Sequence, residues 1–183
     1  MLTKEAIREE LLLKRKGLSL REKSTKDRKI SLGLMSLPEV ERAGVILLYH
    51  AIAGEPDLTP VFTRILREGR RLVLPKVSGR DLELIAVEDL SSLSKGAFGI
   101  LQPQEGERVS PMDLDVAVVP GIAFDRECYR LGFGKGYYDR LLKEVRAPKV
   151  GVAYSFQVLD RVPRDEWDEP VSILITEEEV IRR

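Results

Sequence analysis

The run Arg130-Leu131-Gly132-Phe133-Gly134-Lys135-Gly136-Tyr137-Tyr138-Asp139-Arg140 brings the most chemistry together in this sequence. Three glycines alternate with larger residues, and a lysine stands between the last two. Glycine lets backbone N–H groups approach an anion and turn through positive φ. The apolar helical spacing of Tyr138, Leu141, Leu142 and Val145 follows, so a helix N-terminus with its positive dipole end adjoins the loop. Arg130 and Lys135 add full charges. The run reads as a phosphate cradle, although it is neither G-x-x-x-x-G-K-[ST] nor G-x-G-x-x-G. Turn glycines and a solvated loop lysine are the bland alternative.

Other residues join this list. Lys4 and Arg8 are one helical turn apart and share a face with Ile7 and Leu11. Two cations on a face turned toward the body are easier to understand if both meet an anion. Asp139, at the expected start of the helix, could bind magnesium, which takes few carboxylates plus waters and phosphates. It could equally favour the helix dipole or pair with Arg140. Asp168, in Asp165-Glu166-Trp167-Asp168-Glu169, is a second acidic candidate, or part of a solvated turn. Glu55 stands in the loop Ala53-Gly54-Glu55-Pro56-Asp57, and His50 is the single histidine. Tyr137, Tyr138 and Tyr154 could stack on ligand rings or belong to the core. Cys128 has no Cys or His cluster near it in sequence, which removes support for a metal–thiolate centre or a Cys–His nucleophile.

The elements that must position these groups follow from pattern. Thr3 caps an expected helix to about Lys16. Ser19-Leu20-Arg21-Glu22 has a capping-box pattern and opens a second helix to Met35, before Leu37-Pro38. Val45 to Tyr49 is a continuous apolar run and reads as a buried strand. A helix is expected from Thr59 to Glu68. Strands follow at Arg71 to Leu74 and Leu82 to Ala86, then at Ala117 to Val119, Val150 to Ala153 and Ser172 to Ile175. Ser91 to Val109 is polar and glycine-rich, and reads as a long loop. Continuous apolar strands alternating with helices predict an α/β fold: a mostly parallel sheet with helices on both faces, three layers, in one domain over residues 1–183. Ligands of such sheets sit beyond the carboxyl ends of the strands, which puts Glu55 and the glycine loop at one edge.

Composition narrows the function classes. Thirty basic and thirty acidic residues cancel in 183, so no general nucleic-acid footprint is visible and any positive site is local. The lone cysteine excludes an internal disulfide. No signal segment or spanning run is visible, and the expectation is a cytoplasmic protein without membrane partners. A monomer is the default expectation. The sequence contains no asparagine, and 33% of it is charged, which follows the trend of thermophile proteins.

Several blocks carry a family resemblance. Pro120-Gly121-Ile122-Ala123-Phe124-Asp125, the run Arg130 to Arg140, and Gly151-Val152-Ala153-Tyr154-Ser155-Phe156-Gln157 resemble the signature blocks of 5-formyltetrahydrofolate cyclo-ligase. Lys4 to Arg8, Tyr49 to Leu58 and Ile173-Leu174-Ile175-Thr176-Glu177 match in order and spacing, so the likeness spans the chain. Cys128, where glycine is usual, Phe133 in place of tyrosine or arginine, and Trp167 in place of histidine are departures. The resemblance implies ATP-dependent closure of 5-formyltetrahydrofolate to 5,10-methenyltetrahydrofolate with magnesium, releasing ADP and phosphate. It implies ATP contacts from Lys4, Glu5, Ala6, Ile7 and Arg8, and from Arg130, Leu131, Gly132, Phe133, Gly134, Lys135, Gly136, Tyr137 and Tyr138. Lys135 and Arg130 would act catalytically. His50, Glu55, Tyr137 and Tyr154 would meet the reduced folate, and Asp139 and Asp168 the magnesium ion. Two readings compete: a phosphosugar isomerase or acyl-transfer enzyme on a related α/β scaffold, and a non-catalytic nucleotide-binding regulator.

Overall fold

The computed structural model describes residues 2–183. In chain order the elements are α1 (Lys4–Lys16), α2 (Leu20–Ser36), the one-turn α3 (Pro38–Glu41), β1 (Val45–Leu47), α4 (Thr59–Arg67), β2 (Arg71–Ser78) and β3 (Asp81–Val87). They continue with β4 (Leu93–Lys95), β5 (Leu101–Pro103), β6 (Val116–Val119), β7 (Ala123–Asp125), β8 (Arg130–Leu131), α5 (Tyr137–Glu144), β9 (Lys149–Val152), β10 (Val158–Leu159), β11 (Ile173–Ile175) and β12 (Val180–Arg182).

Seven strands form the main sheet in the order β12-β11-β9-β6-β1-β2-β3. The inner pairings are parallel, and only the edge strands β3 and β12 run antiparallel. Both faces are covered, which is why the strands read as unbroken apolar runs. Ile46, Leu72, Val118 and Val150 pack with Phe62 of α4 and Leu34 of α2 on one face. Leu47, Val73 and Ala117 pack with Leu141 of α5 on the other. The α/β, three-layer expectation therefore holds.

The chain leaves β1 toward β2 and β3, then returns to the other side of β1 as β6 and continues outward through β9 and β11. Strand order thus reverses between β1 and β6. A crevice opens beyond their carboxyl ends at such a switch point, and ligands of open α/β sheets bind there.

Local signals placed several elements well. Thr3 Oγ1 accepts the Ala6 N–H at 3.1 Å, and Ser19 Oγ accepts the Glu22 N–H at 3.1 Å, so both helix starts are capped as read. The segment read as a long loop, 91–109, instead contains the antiparallel hairpin β4–β5. Gln102 Oε1 accepts the Val77 N–H at 3.1 Å and pins that hairpin to β2. A second small sheet, β10-β7-β8, also went unread. It carries Ala123 and Leu131, and with the adjoining Ile122 these pack against Ile7 and Leu11 of α1.

Candidate active site

A cavity of about 690 Å³ occupies the switch point, a size typical of small-molecule sites. Its walls come from α1, the loop after β1, the β4–β5 hairpin, the loop after β6, the glycine run and residues 165–168. Elements distant in sequence therefore converge at one edge of the sheet.

The glycine run turns at two left-handed positions, Gly134 at φ 101° and Gly136 at φ 76°. Gly136 is also the N-cap residue of α5, and no side chain caps that helix start. The first N–H groups of α5 are therefore open to an incoming anion. A Cβ on Gly136 would fall 2.6 Å from Arg140 Nη1. One on Gly132 would fall 2.9 Å from Arg130 Nη2, so the loop lies directly over the Arg130 guanidinium. Arg130 is buried, and Nε donates to Pro120 O at 2.5 Å. Its Nη1 is 3.7 Å from Asp139, and its guanidinium faces the Tyr138 ring at 5.0 Å. Burial lowers the Arg130 pKa and Asp139 opposes that shift. Lys135 is exposed, with Nζ 5.6 Å from the centre of the Phe98 ring.

Helix α1 crosses above this loop. Arg8 Nε donates to Gly132 O at 2.8 Å, and Lys4 pairs with Asp165 at 3.0 Å. Asp168 Oδ2 accepts the Asp165 N–H at 2.8 Å, so the acidic turn is folded onto itself and tied to α1. Tyr137 Oη donates to Gly79 O at 3.3 Å.

The folate-side candidates lie deeper. Ala53 and Gly54 both have positive φ, at 48° and 76°. They form a tight turn in which the Glu55 N–H donates to Ile52 O at 2.9 Å, while Glu55 Oε1 accepts the Ile52 N–H at 3.0 Å. Glu55 is 3% exposed. Burial pushes its carboxyl up to about 7, against the opposing pull of the Ile52 N–H and of Arg15, Arg130 and Lys23. His50 lines the same wall, with Nδ1 3.3 Å from Ala51 O.

Of the residues singled out from sequence, Lys4, Glu5, Arg8, His50, Glu55, the whole stretch 130–139 and Asp168 line the cavity. Three do not. Ile7 is buried in the α1 packing seam, and Ala6 is likewise away from the wall. Tyr154 is fully buried, and its hydroxyl donates to Asp27 of α2. Of the two alternatives open for it, ligand ring or core, the structure takes the second: its side chain packs with Ile173 and Val152.

The sequence reading missed Tyr49, Phe98, Ile100 and Gln102 as wall residues. The apolar Phe98-Gly99-Ile100-Leu101 inside an otherwise polar stretch was the available signal.

Among the described residues, no group of three or more His, Cys, Asp or Glu converges as a metal cluster. Magnesium carried mainly by phosphates needs only one or two carboxylates. Asp139 and Asp168 face one cavity, so this donor set fits that chemistry.

Residues 1–177 match the model of the 5-formyltetrahydrofolate cyclo-ligase family. The 5-formyltetrahydrofolate cyclo-ligase of Mycoplasma pneumoniae is 36% identical over 96% of this chain and 99% of that protein. The enzyme of the same name from Escherichia coli K12 is 29% identical over 91% of this chain and 96% of its own. Among solved structures, 5,10-methenyltetrahydrofolate synthetase from Aquifex aeolicus superposes with a TM-score of 0.91 at 52% identity, covering 99% of this chain and 93% of that one. The Mycoplasma pneumoniae synthetase gives 0.80 at 34% identity, covering 96% and 99%. On sequence, fold and the convergence of its glycine run with Glu55, the chain belongs to the 5-formyltetrahydrofolate cyclo-ligase family.

Proposed function

We propose that this enzyme closes 5-formyltetrahydrofolate to 5,10-methenyltetrahydrofolate at the expense of ATP, using the cavity between β1 and β6. The observation that carries the reading is the meeting, in one cavity, of an uncapped helix start with cations and of a buried carboxylate. The first suits phosphates. The second suits the N–H groups of a pterin ring, which a carboxylate can accept in pairs.

The chemical obstacle is the formyl oxygen, a poor leaving group. It attacks the γ-phosphorus of ATP, and ADP leaves. The N-formyl group becomes an iminium phosphate. The neighbouring exocyclic nitrogen attacks the activated carbon and loses its proton, phosphate departs, and the five-membered ring closes. The protein's share is alignment and neutralisation of phosphate charge. Lys135 and Arg130 act on the transferring phosphoryl group, and Lys4, Arg8 and the N–H groups of the glycine run hold the rest of the nucleotide. Glu55, with His50 beside it, orients the pterin. Asp139 and Asp168 would hold magnesium, which supplies charge neutralisation on the phosphates.

A phosphosugar or acyl-transfer enzyme has no use for the Lys4 and Arg8 pair, and a regulator has none for buried Glu55. Mixing the protein with 5-formyltetrahydrofolate and Mg-ATP tests the reading: ADP and the conjugated methenyl product are expected in equal amounts, and only with magnesium. Product without ADP, or ATP turnover at the same rate without folate, removes it.

A further inference from the structure

A buried cation lies beneath the Glu55 turn. Arg15, on the inner face of α1, is 2% exposed. Its hydrogen bonding is poor: Nη1 donates to Gly121 O at 3.4 Å, while Nε and Nη2 have no partner. Buried charges ordinarily find full pairing, so an under-bonded guanidinium needs a reason.

Its surroundings supply one. A methyl group added at Gly54 would lie 3.4 Å from Arg15 Cβ, so the arginine stem packs under the turn that carries Glu55. Gly121, the acceptor of Nη1, lines the cavity just past β6, and its carbonyl also takes the Gln157 Nε2–H at 2.9 Å. Arg15 therefore reaches beneath the switch point, from the loop after β1 to the loop after β6. Arg130 stands 3.7 Å from Asp139, and Lys23 pairs with Asp27 at 2.8 Å. Arg15 has no carboxylate of its own among the described residues.

We propose that Arg15 is a positioning residue for the folate end of the cavity: its stem packs under the turn that presents Glu55, and its guanidinium, anchored on Gly121 O, sets a buried positive charge behind that turn, without touching substrate. The inference rests on the reading of Glu55 as the pterin acceptor. A neutral carboxyl would lose charge-assisted acceptance of the pterin N–H groups. Among the charges that face Glu55, Arg15 acts most strongly, ahead of Arg130 from β8 and Lys23 from α2. Tyr49 and Tyr138 also face it, and burial raises the pKa of both, so they remain neutral. Glu55 and Arg15 act on each other reciprocally, since Glu55 is the first charge to oppose the lowering of Arg15 by burial.

The test is the affinity for 5-formyltetrahydrofolate, measured by calorimetry from about pH 6 to about pH 9, in wild type, Arg15→Met, Arg15→Lys, Glu55→Gln and the Arg15→Met/Glu55→Gln double variant. In Arg15→Met the pH at half affinity should rise by about one unit. Affinity near pH 7 should then fall about fivefold and return at high pH. Arg15→Lys should keep the wild-type midpoint. Adding Arg15→Met to Glu55→Gln should cost no further folate affinity, because the two act as one unit. Mg-ATP affinity should stay within about twofold throughout.

An unmoved midpoint in Arg15→Met, with Glu55→Gln weakened as expected, overturns the proposal alone. So does an equal loss of folate and ATP affinity. Unchanged folate affinity in Glu55→Gln removes the Glu55 reading and this inference with it. Circular dichroism checks folding, and Arg15→Gln replaces the methionine variant if that one is unfolded. If neither neutral variant folds, Arg15 is a folding residue and the proposal is wrong.

Discussion

Lys135 stands in solvent on a loop that turns through left-handed glycines, whereas Glu55 lies 3% exposed in a turn closed by its own carboxylate. At the glycine-run end, side chains are tied to main-chain carbonyls: Arg8 to Gly132, Arg140 to Lys135. At the Glu55 end, burial has already removed water and pushed the carboxyl up to about 7. Exposed charges interact weakly in water and are screened by salt. The phosphate end therefore depends on many donors converging when the nucleotide arrives. The folate end carries its desolvation before substrate binds, so one group can decide affinity there. The contrast teaches that one cavity can use convergence on one side and pre-desolvation on the other.

Breaking the phosphate end at its buried anchor should have the largest effect. Arg130→Met removes the guanidinium beneath Gly132 and leaves Asp139 without its neighbour. Loss of a preorganised charge-stabilising donor costs about a hundredfold or more in turnover. Steady-state kinetics with Mg-ATP should show that loss in kcat, and a variant within a few-fold of wild type would mean that Arg130 is structural.

The folate end should show a pH signature. Glu55 has a folded pKa raised above the ordinary carboxylate value, mainly by burial, so the folded protein takes up a proton as pH falls through about 7. The sign follows: folate affinity should be full above that value and fall by up to about tenfold per pH unit below it. Glu55→Gln should lack this inflection. A wild-type profile flat from about pH 8 to about pH 5.5 contradicts the role given to the carboxylate.

Heat should act outside both ends. Ion pairs such as Arg126–Glu179 at 3.0 Å and Arg182–Glu39 at 3.0 Å lie away from the cavity, and Arg164 bridges Asp125 and Glu127. Such pairs contribute little singly at room temperature but gain value when hot, and the absence of asparagine removes deamidation sites. The ligand-free melting midpoint should exceed the mesophile range of about 45–65 °C. A midpoint within that range means the composition misleads.

The smallest effect on activity should come from Cys128→Ser. The thiol is buried, burial raises its pKa, and it lies outside the cavity wall. Activity should stay within a small factor, while the buried hydroxyl costs about 1–3 kcal/mol of stability, read as a lower melting midpoint. Complete inactivation of a folded variant would show that the residue acts in the reaction. Cys128 has φ 68°, a left-handed turn where glycine is the comfortable choice, so the backbone accounts for the usual glycine and nothing in the structure explains the cysteine.

What the sequence made legible was local. Thr3 and Ser19 announce their helices through short-range caps, and the apolar run at β1 announces a strand covered on both faces. Glu55 and the glycine run could be set at one sheet edge because each follows a strand. The β4–β5 hairpin was opaque because three-residue polar strands carry no periodicity, and Gln102 fixes them through a contact with β2 far away in sequence. Tyr154 stayed open between ligand and core because strand ends do not reveal which way the next side chain turns. Arg15 was legible only in part: helical spacing puts it on the α1 face of Ile7 and Leu11, which is buried, but what it meets there, Gly54 and Gly121, depends on contacts far away in sequence.

The most direct test of the division between the two ends is a crossed binding experiment. Calorimetric affinities for Mg-ATP and for 5-formyltetrahydrofolate are measured separately on Lys135→Ala and Glu55→Gln. Lys135→Ala should weaken ATP and spare folate. Glu55→Gln should weaken folate about tenfold or more, the value of roughly 1.5–3 kcal/mol for a charged hydrogen bond, and leave ATP nearly intact. Both variants weakening both ligands alike, or Lys135→Ala keeping wild-type ATP affinity, would contradict the account.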